Sequence, residues 1–387
     1  LPSDEAWKLG MTVLTSQDIE RIQPLSVQEL LKHVPGIYVN DSGTGVTSIH
    51  LRGAEANYTL VLLDGVPMND PSDSRGGSFD LNLLDPALIG SVEVLSGSAA
   101  ALYGAGALGG VINITLKKSA AAGLSLAGEY GTNDSYRLSG SAAVKLGGDL
   151  DLSLSASHKD IGDLPSLGGL DATQVIASLA YRLGGHTHMR LTSVNIDQSA
   201  SNFPEDSGGA LYAVWRDQDQ RETTVGRYSF TLASDLNEAL DLSVKASYFK
   251  QHKEETSPGV APGFAIPPNG AETDLSRFDA ELGLAYKASA RWRSYLGAHY
   301  TREKGESEGY LYAPGVYDLP FTLERDRFSL ISENKWALAP QNDLHATVRL
   351  DFPDTFSTRL SLAGSYVWTS PGEASSLRAT VMNGYKE

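Results

Sequence analysis

The sequence predicts a transmembrane antiparallel β-barrel preceded by a smaller α+β unit. From residue 119 onward, apolar residues recur at alternate positions in runs of about ten, the length a membrane-crossing strand needs. Short turns and longer connections join these runs in alternation, the asymmetry of a barrel whose long loops face outside. Before Lys117-Lys118 neither pattern holds. Residues 1–118 are therefore expected to form one domain, and residues 119–387 the N-terminal part of the barrel.

In the first unit, the segment SVQELLKHVPG sets Ser26 and Glu29 at the spacing of a capping box. Leu30 and Leu31 begin an apolar face, and Pro35-Gly36 ends the helix. GIYV, SIHLRG, TLVLLDG, IGSVEVL and GGVINITL read as short strands between Gly and Asp turns. In ALYGAGALGGVINI, Gly104, Gly106 and Gly109 spell G-x-G-x-x-G, which binds a dinucleotide only where a helix follows to receive the pyrophosphate on its amides. Here the β-branched run Val111-Ile112-Asn113-Ile114-Thr115 follows, so the glycines serve another purpose.

In the barrel, LDLSLSASH sets Leu150, Leu152, Leu154 and Ala156 against Asp151, Ser153, Ser155 and Ser157. LDLSVKASY and the run from Phe278 to Lys287 repeat the alternation. The turns at 147–149, 184–187, 235–239, 287–291 and 339–343 are short, and the connections 161–171, 199–220, 256–273 and 305–320 are longer. Tyr130, Tyr181, Tyr248, Tyr286, Trp292, Trp336 and Trp368 fall near strand ends, where amphipathic rings suit a lipid–water interface. A sheet in hydrocarbon must close, because an unpaired edge leaves amides and carbonyls without partners. Roughly thirteen strands follow Lys118, whereas bacterial barrels normally hold an even number. Further strands are expected, from more polypeptide or from a second chain.

Composition excludes several classes. A net charge of −16 argues against a nucleic-acid partner, whose phosphates need Lys and Arg. The absence of cysteine excludes disulfides, thiolate metal sites and a cysteine nucleophile. No run of eighteen apolar residues is present, and residues 1–10 lack the basic start and apolar stretch of a signal peptide.

Taken together, TVLTSQDIERIQPLSVQELLKHVPGIYV, SIHLRG, TLVLLDGVPMND and IGSVEVLSGSAAALYGAGALGGVINITLKK resemble successive signature segments of the plug domain of TonB-dependent outer-membrane receptors. The resemblance covers nearly all of the first 118 residues. It implies a barrel of about 22 strands with a plugged lumen in the bacterial outer membrane, of which about 13 are present here. The glycine run then resembles the tight turn that ends the plug, with close backbone packing in place of phosphate. The resemblance further implies capture of a scarce large nutrient, cobalamin or a ferric siderophore, and import driven through TonB without any enzymatic step. The alternative is a passive or structural barrel component completed by a second chain. Arg52 in LRG and Glu93 in VEVL match the family pattern and are expected to position the plug. Ser96-Gly97 stands where family members usually carry Arg-Gly, and no TonB box precedes Thr12.

The expected ligand-facing residues are Asn57, Tyr58, Asn69, Asp70, Ser72 and Arg75 in the plug loops, which offer hydrogen bonds and charge. Phe203, Tyr212, Trp215, Phe264, Tyr310, Tyr312 and Tyr317 in the outer loops offer flat apolar area. Asp197, Glu205, Asp206, Asp217 and Asp219 surround one long loop. Carboxylates there suit calcium, which cobalamin receptors of the family hold on outer-loop aspartates, although no EF-hand spacing is present. Otherwise no cofactor is expected. Haem is disfavoured because the family's haem motif is replaced by NGYKE and the eight histidines show no ligand arrangement.

Overall fold

The structure, a computed structural model, describes residues 11–40, 47–72, 79–118, 122–164, 168–312, 315–371 and 375–385. Its first part builds on a five-stranded sheet. Strands β1 (Met11–Leu14), β4 (Thr59–Leu63), β5 (Val66–Pro67), β6 (Ile89–Ser96) and β7 (Gly110–Leu116) lie in the order β1-β6-β7-β4-β5. β4 and β7 are parallel, and the other pairs are antiparallel. A separate hairpin pairs β2 (Ile37–Asn40) with β3 (Ser48–Leu51).

Two short helices, Ser16–Ile22 and Val27–Leu31, pack on this sheet. The predicted cap on the second is present, with the Ser26 hydroxyl accepting from the Glu29 amide at 3.2 Å. Glu29 itself reaches back to the Leu25 amide at 2.8 Å rather than to that of Ser26. The first helix was not anticipated, although Thr15 and Asp18 complete a capping box of their own. Val27, Leu30, Leu31, Leu63, Val92, Ile112 and Ile114 form a dry core between the helices and the sheet.

Among the described residues the second part is one antiparallel sheet of thirteen strands, each paired with its neighbour in sequence. They are β8 (Gly123–Tyr130), β9 (Tyr136–Leu146), β10 (Leu150–Leu164), β11 (Gly168–Leu183), β12 (Thr187–Asn202), β13 (Asp219–Asn237), β14 (Leu240–Ser257), β15 (Asn269–Ser289), β16 (Trp292–Tyr312), β17 (Val316–Ala339), β18 (Asn342–Pro353), β19 (Arg359–Thr369) and β20 (Ser376–Met382). β8 and β20 are the edges, so the sheet is a partial barrel that does not close on itself.

Period-two alternation divides the wall into two faces. One face turns toward the plug and is polar, with Arg227, Arg277, Thr301, Ser329, Arg349 and Asp351 buried on it. The other carries Leu152, Leu154, Leu191, Leu282, Leu296, Leu330 and Leu362 in the open, an outward apolar band of the kind expected of a barrel in lipid. Aromatics bracket the band. Trp292 pairs with Trp336 at one rim, and Tyr300 pairs with Phe328 near the other. The eight residue steps from Trp292 to Tyr300 run roughly 26 Å along the strand, enough for a tilted strand to cross hydrocarbon.

The strands outrun the expectation. Most of 161–171 and 305–320, read as long connections, is strand, since β10 runs to Leu164, β11 starts at Gly168, β16 runs to Tyr312 and β17 starts at Val316, whereas 256–273 keeps a connection at 258–268. Apolar alternation stops at the aromatic rim and so gives no signal there. The hydrogen-bond ladder continues on polar residues, helped by outward cross-strand pairs such as Arg302 with Glu324 at 2.7 Å. The longer described connections are 203–218 and 258–268, on the same side of the sheet.

Candidate functional site

Buried cations of the barrel wall reach into the plug. Arg227 on β13, with no exposed surface, donates to the Leu63 carbonyl at 2.6 Å and lies 3.6 Å from Asp64. Arg277 on β15 donates to the carbonyls of Pro67 at 3.0 Å and Asn69 at 2.6 Å. Its third nitrogen meets Glu303 at 2.5 Å, and its guanidinium stands 5.6 Å from the Phe249 ring centre. Arg349 on β18 donates to Leu102 at 3.2 Å and is held by Asp351 at 2.7 Å and Ser329 at 2.8 Å. Arg221 meets Asp80 at 3.1 Å, and Arg137 meets Asp85 at 3.3 Å. A planar guanidinium offers several donors in fixed directions, so each arginine can bind wall acids and plug carbonyls together.

An apolar patch adds to these directed contacts. Ile176, Val194, Ile196, Val225, Phe249 and Leu275 from the inner wall join the plug's own core. Gln174 donates to the Leu83 carbonyl, and Gln251 donates to Asp70 at 2.8 Å. Sequence reading missed the arginines. Their parity was the available signal, since each lies on the strand face opposite the apolar stripe.

The glycine run is a packing device. A Cβ on Gly109 would lie 2.9 Å from that of Ala54 and 3.1 Å from the Tyr58 carbonyl, and one on Gly110 would collide with Leu51 and the Leu95 backbone. Gly104, at φ +86°, faces the Arg349 guanidinium, which a Cβ would approach to 3.1 Å. A strand, β7, follows the glycines, as their sequence indicated.

The expected ligand residues divide. Asn69 holds β4, accepting from the Val61 amide at 2.7 Å and donating to the Thr59 carbonyl at 3.0 Å. Asp70 is buried between Gln251 and the Ser72 amide, so its carboxylate faces the wall and not an opening. Asn57 and Tyr58 lie in a half-buried turn of 3-10 helix against the glycine run. Ser72 sits beside Gly305 of β16. Arg75 lies outside the described residues, as does the stretch 1–10 where a TonB box was sought. Of the plug-positioning pair, Glu93 accepts from Asn113 at 3.0 Å within the plug sheet. Arg52 is exposed beside Gly36.

Among the wall aromatics, Tyr310 and Tyr312 share parity with Tyr300 and therefore lie on the outward face, contrary to expectation. No loop interrupts β16 there to turn them inward. Tyr317 has inward parity and lies on one stripe with Leu319, Phe321, Leu323 and Arg325, and Leu323 approaches Gly305 beside Ser72. Leu319 and Phe321 were not anticipated. In the two long connections, Trp215 and Phe264 meet edge-on with ring centres 5.6 Å apart. Phe264 takes φ +46°, an uncommon conformation for a bulky residue. Phe203 is half-buried and Tyr212 exposed in the same region.

The five acids do not converge. Asp197 is in mid-strand on the outward face and accepts from Thr224 at 2.8 Å. Asp217 is bonded to Trp215, Asp219 accepts from Asn202 at 3.4 Å, and Glu205 and Asp206 are exposed. Among the described residues, no three of them bring ligand atoms within reach of one ion. β12 carries Asp197 away from the 203–218 connection, and within that region Asp217 and Asp219 are engaged by Trp215 and Asn202.

Residues 8–111 match the family described as TonB-dependent Receptor Plug Domain. In overall shape the chain is similar to the ferric enterobactin receptor PfeA of Pseudomonas aeruginosa, at 20% identity and TM-score 0.78, covering 97% of this chain and 62% of that one. It is likewise similar to the siderophore receptor PirA of Acinetobacter baumannii, at 18% identity and TM-score 0.78, covering 100% and 63%. For the ferric yersiniabactin uptake receptor FyuA of Yersinia pestis the figures are 18%, TM-score 0.72, 96% and 60%. The chain thus spans about three fifths of the length of these receptors.

Proposed function

We propose that this chain belongs to an outer-membrane importer of ferric siderophores, since residues 8–111 match the TonB-dependent receptor plug family and the thirteen-stranded sheet has the barrel fold of the similar receptors. The observation that carries this reading is the folded plug held against the inner wall by buried arginines. A passive pore gains nothing from such a plug. Directed polar contacts can also be exchanged one by one for water, which suits a domain that must rearrange to pass a ligand.

In this reading, the stripe of Tyr317, Leu319 and Phe321 with Arg325 and the Trp215–Phe264 pair receive the ligand. Flat apolar area with a guanidinium suits an anionic, aromatic iron chelate. TonB supplies the energy, and the substrate leaves chemically unchanged. Siderophore is favoured over cobalamin because the acids once grouped for calcium are dispersed.

The test is uptake of radiolabelled ferric enterobactin, the ligand named for the similar PfeA receptor, by cells producing the receptor with and without TonB. Uptake that requires TonB and is competed by unlabelled ferric siderophores is expected. TonB-dependent uptake of labelled cobalamin alone would overturn the siderophore assignment, and equal uptake without TonB would overturn active import.

A further inference from the structure

We propose that the outward face of β14 and β15 carries a site for a divalent transition-metal cation, with His252, Glu254 and Glu272 as ligands and Asp274 behind the imidazole. The site lies well away from the plug and the ligand-facing stripe. His252 is four residues beyond Tyr248 of the aromatic band, roughly 13 Å further along the strand and above the lipid-facing zone.

Two independent features point to a cation. The first is register. Glu254 lies directly opposite Glu272, and Glu272 directly opposite Glu308 of β16, so three carboxylates share one outward row. Like charges directly opposite in an antiparallel sheet are destabilising. The row beneath pairs His252 with Asp274 and Asp274 with Glu306, whose charge is met by Lys304 at 2.6 Å. The upper row is met by the His252 imidazole.

The second feature is the geometry of that imidazole. Nδ1 lies 3.1 Å from Asp274, the carboxylate–histidine arrangement that fixes a ligand's tautomer and leaves Nε2 with its lone pair. Nε2 then faces Glu254 at 3.3 Å and Glu272 at 4.0 Å. A ring nitrogen set against two carboxylates suits a positive occupant, and there a metal ion competes with a proton. Metal–ligand bonds of about 2.0–2.2 Å in a tetrahedron put ligand atoms about 3.3–3.6 Å apart, near the 3.3 Å separation from Glu254. Glu272 closes the remainder by rotating an exposed side chain. One nitrogen with carboxylate oxygens suits zinc, manganese or cobalt, whereas calcium prefers oxygen alone. The exposed side chains of His252, Glu254 and Glu272 leave the ion open to water. Bound there, it ties β14 to β15 beneath the connection that carries Phe264.

The test is calorimetric titration of the chelator-stripped receptor in detergent with zinc chloride near neutral pH, alongside His252→Ala, Glu254→Gln and Glu272→Gln. Because these side chains are exposed on the outer wall, heat-modifiable migration in gels serves to confirm that each variant is folded. A zinc site weakened at least tenfold by His252→Ala, weakened by either Gln variant, and weakened in mildly acidic buffer is expected. His158→Ala and His186→Ala should leave it unchanged. Zinc binding that His252→Ala does not alter, or no binding at millimolar zinc, would overturn the proposal and leave a proton as the occupant.

Discussion

Gln251 of the barrel wall donates its amide to the buried Asp70 carboxylate of the plug at 2.8 Å, joining residues 181 positions apart. The other Asp70 oxygen is taken by the Ser72 amide and hydroxyl, so the wall glutamine is the long-range partner of this carboxylate. Gln251→Ala removes a hydrogen bond to a charged group, worth about 1.5–3 kcal/mol. The expected result is earlier proteolytic release of the plug with the barrel intact. In a double-mutant cycle with Asp70→Asn, a coupling energy near zero would contradict the contact.

Gly110→Ala is expected to be the more damaging of the small changes in the plug. Its φ is +148°, and its Cβ would meet Leu51 and the Leu95 carbonyl. Overpacking of about 1–3 kcal/mol adds to backbone strain of similar size. Gly53→Ala is the control for conformation alone, since it has positive φ but no atom within 4 Å of a built Cβ. Thermal unfolding of the plug should fall further for Gly110→Ala than for Gly53→Ala.

The first helix should be sensitive to acid. The Thr15 hydroxyl and amide hold the Asp18 carboxyl below its ordinary value of 3.8, with burial opposing and Arg21 assisting. For a depressed carboxyl, the stabilisation is fully present above the unfolded pKa and is lost as pH falls through the folded one. Amide exchange in Ser16–Ile22, corrected for intrinsic rates, should therefore show protection declining below about pH 4, with the decline absent in Asp18→Asn.

The outward band can be tested one residue at a time. Leu282 points away from the plug on β15 and is half exposed. Leu282→Arg should cost about 2–4 kcal/mol if that face meets hydrocarbon near mid-depth. Folding into phospholipid vesicles measures this. A cost below about 1 kcal/mol would place Leu282 at the interface instead.

Trp215→Ala should weaken binding of ferric enterobactin about tenfold through loss of flat apolar area, while leaving the plug's unfolding unchanged. Tyr312→Ala should leave binding unchanged, because its parity turns the ring to the outer wall.

The plug strands were legible because each is a short β-branched run between Gly or Asp turns, as in Thr59–Leu63 and Gly110–Leu116. Barrel strands were legible where one face meets lipid, as from Leu150 to Ala156. Beyond the aromatic rim both faces meet water, and alternation disappears, so Gly305 to Tyr312 looked like a loop. The candidate site was less legible. Asp70 and Asn69 have the composition of a ligand loop, but their atoms are engaged by Gln251, Val61 and Thr59, partners no local pattern identifies.

By itself the sequence determined the change of pattern near Lys118, the alternation of each lipid-facing strand and the exclusion of a phosphate role for the glycines. These follow from local periodicity and from the strand that succeeds the glycines, whose packing role came from the resemblance. Tertiary structure decided which polar residues remain available. Arg227, Arg277 and Arg349 become plug anchors, Tyr317 turns inward while Tyr310 turns outward, and Glu254 comes to stand opposite Glu272. Those outcomes depend on strand register and on a second domain arriving against the wall, and both join residues far apart in the chain.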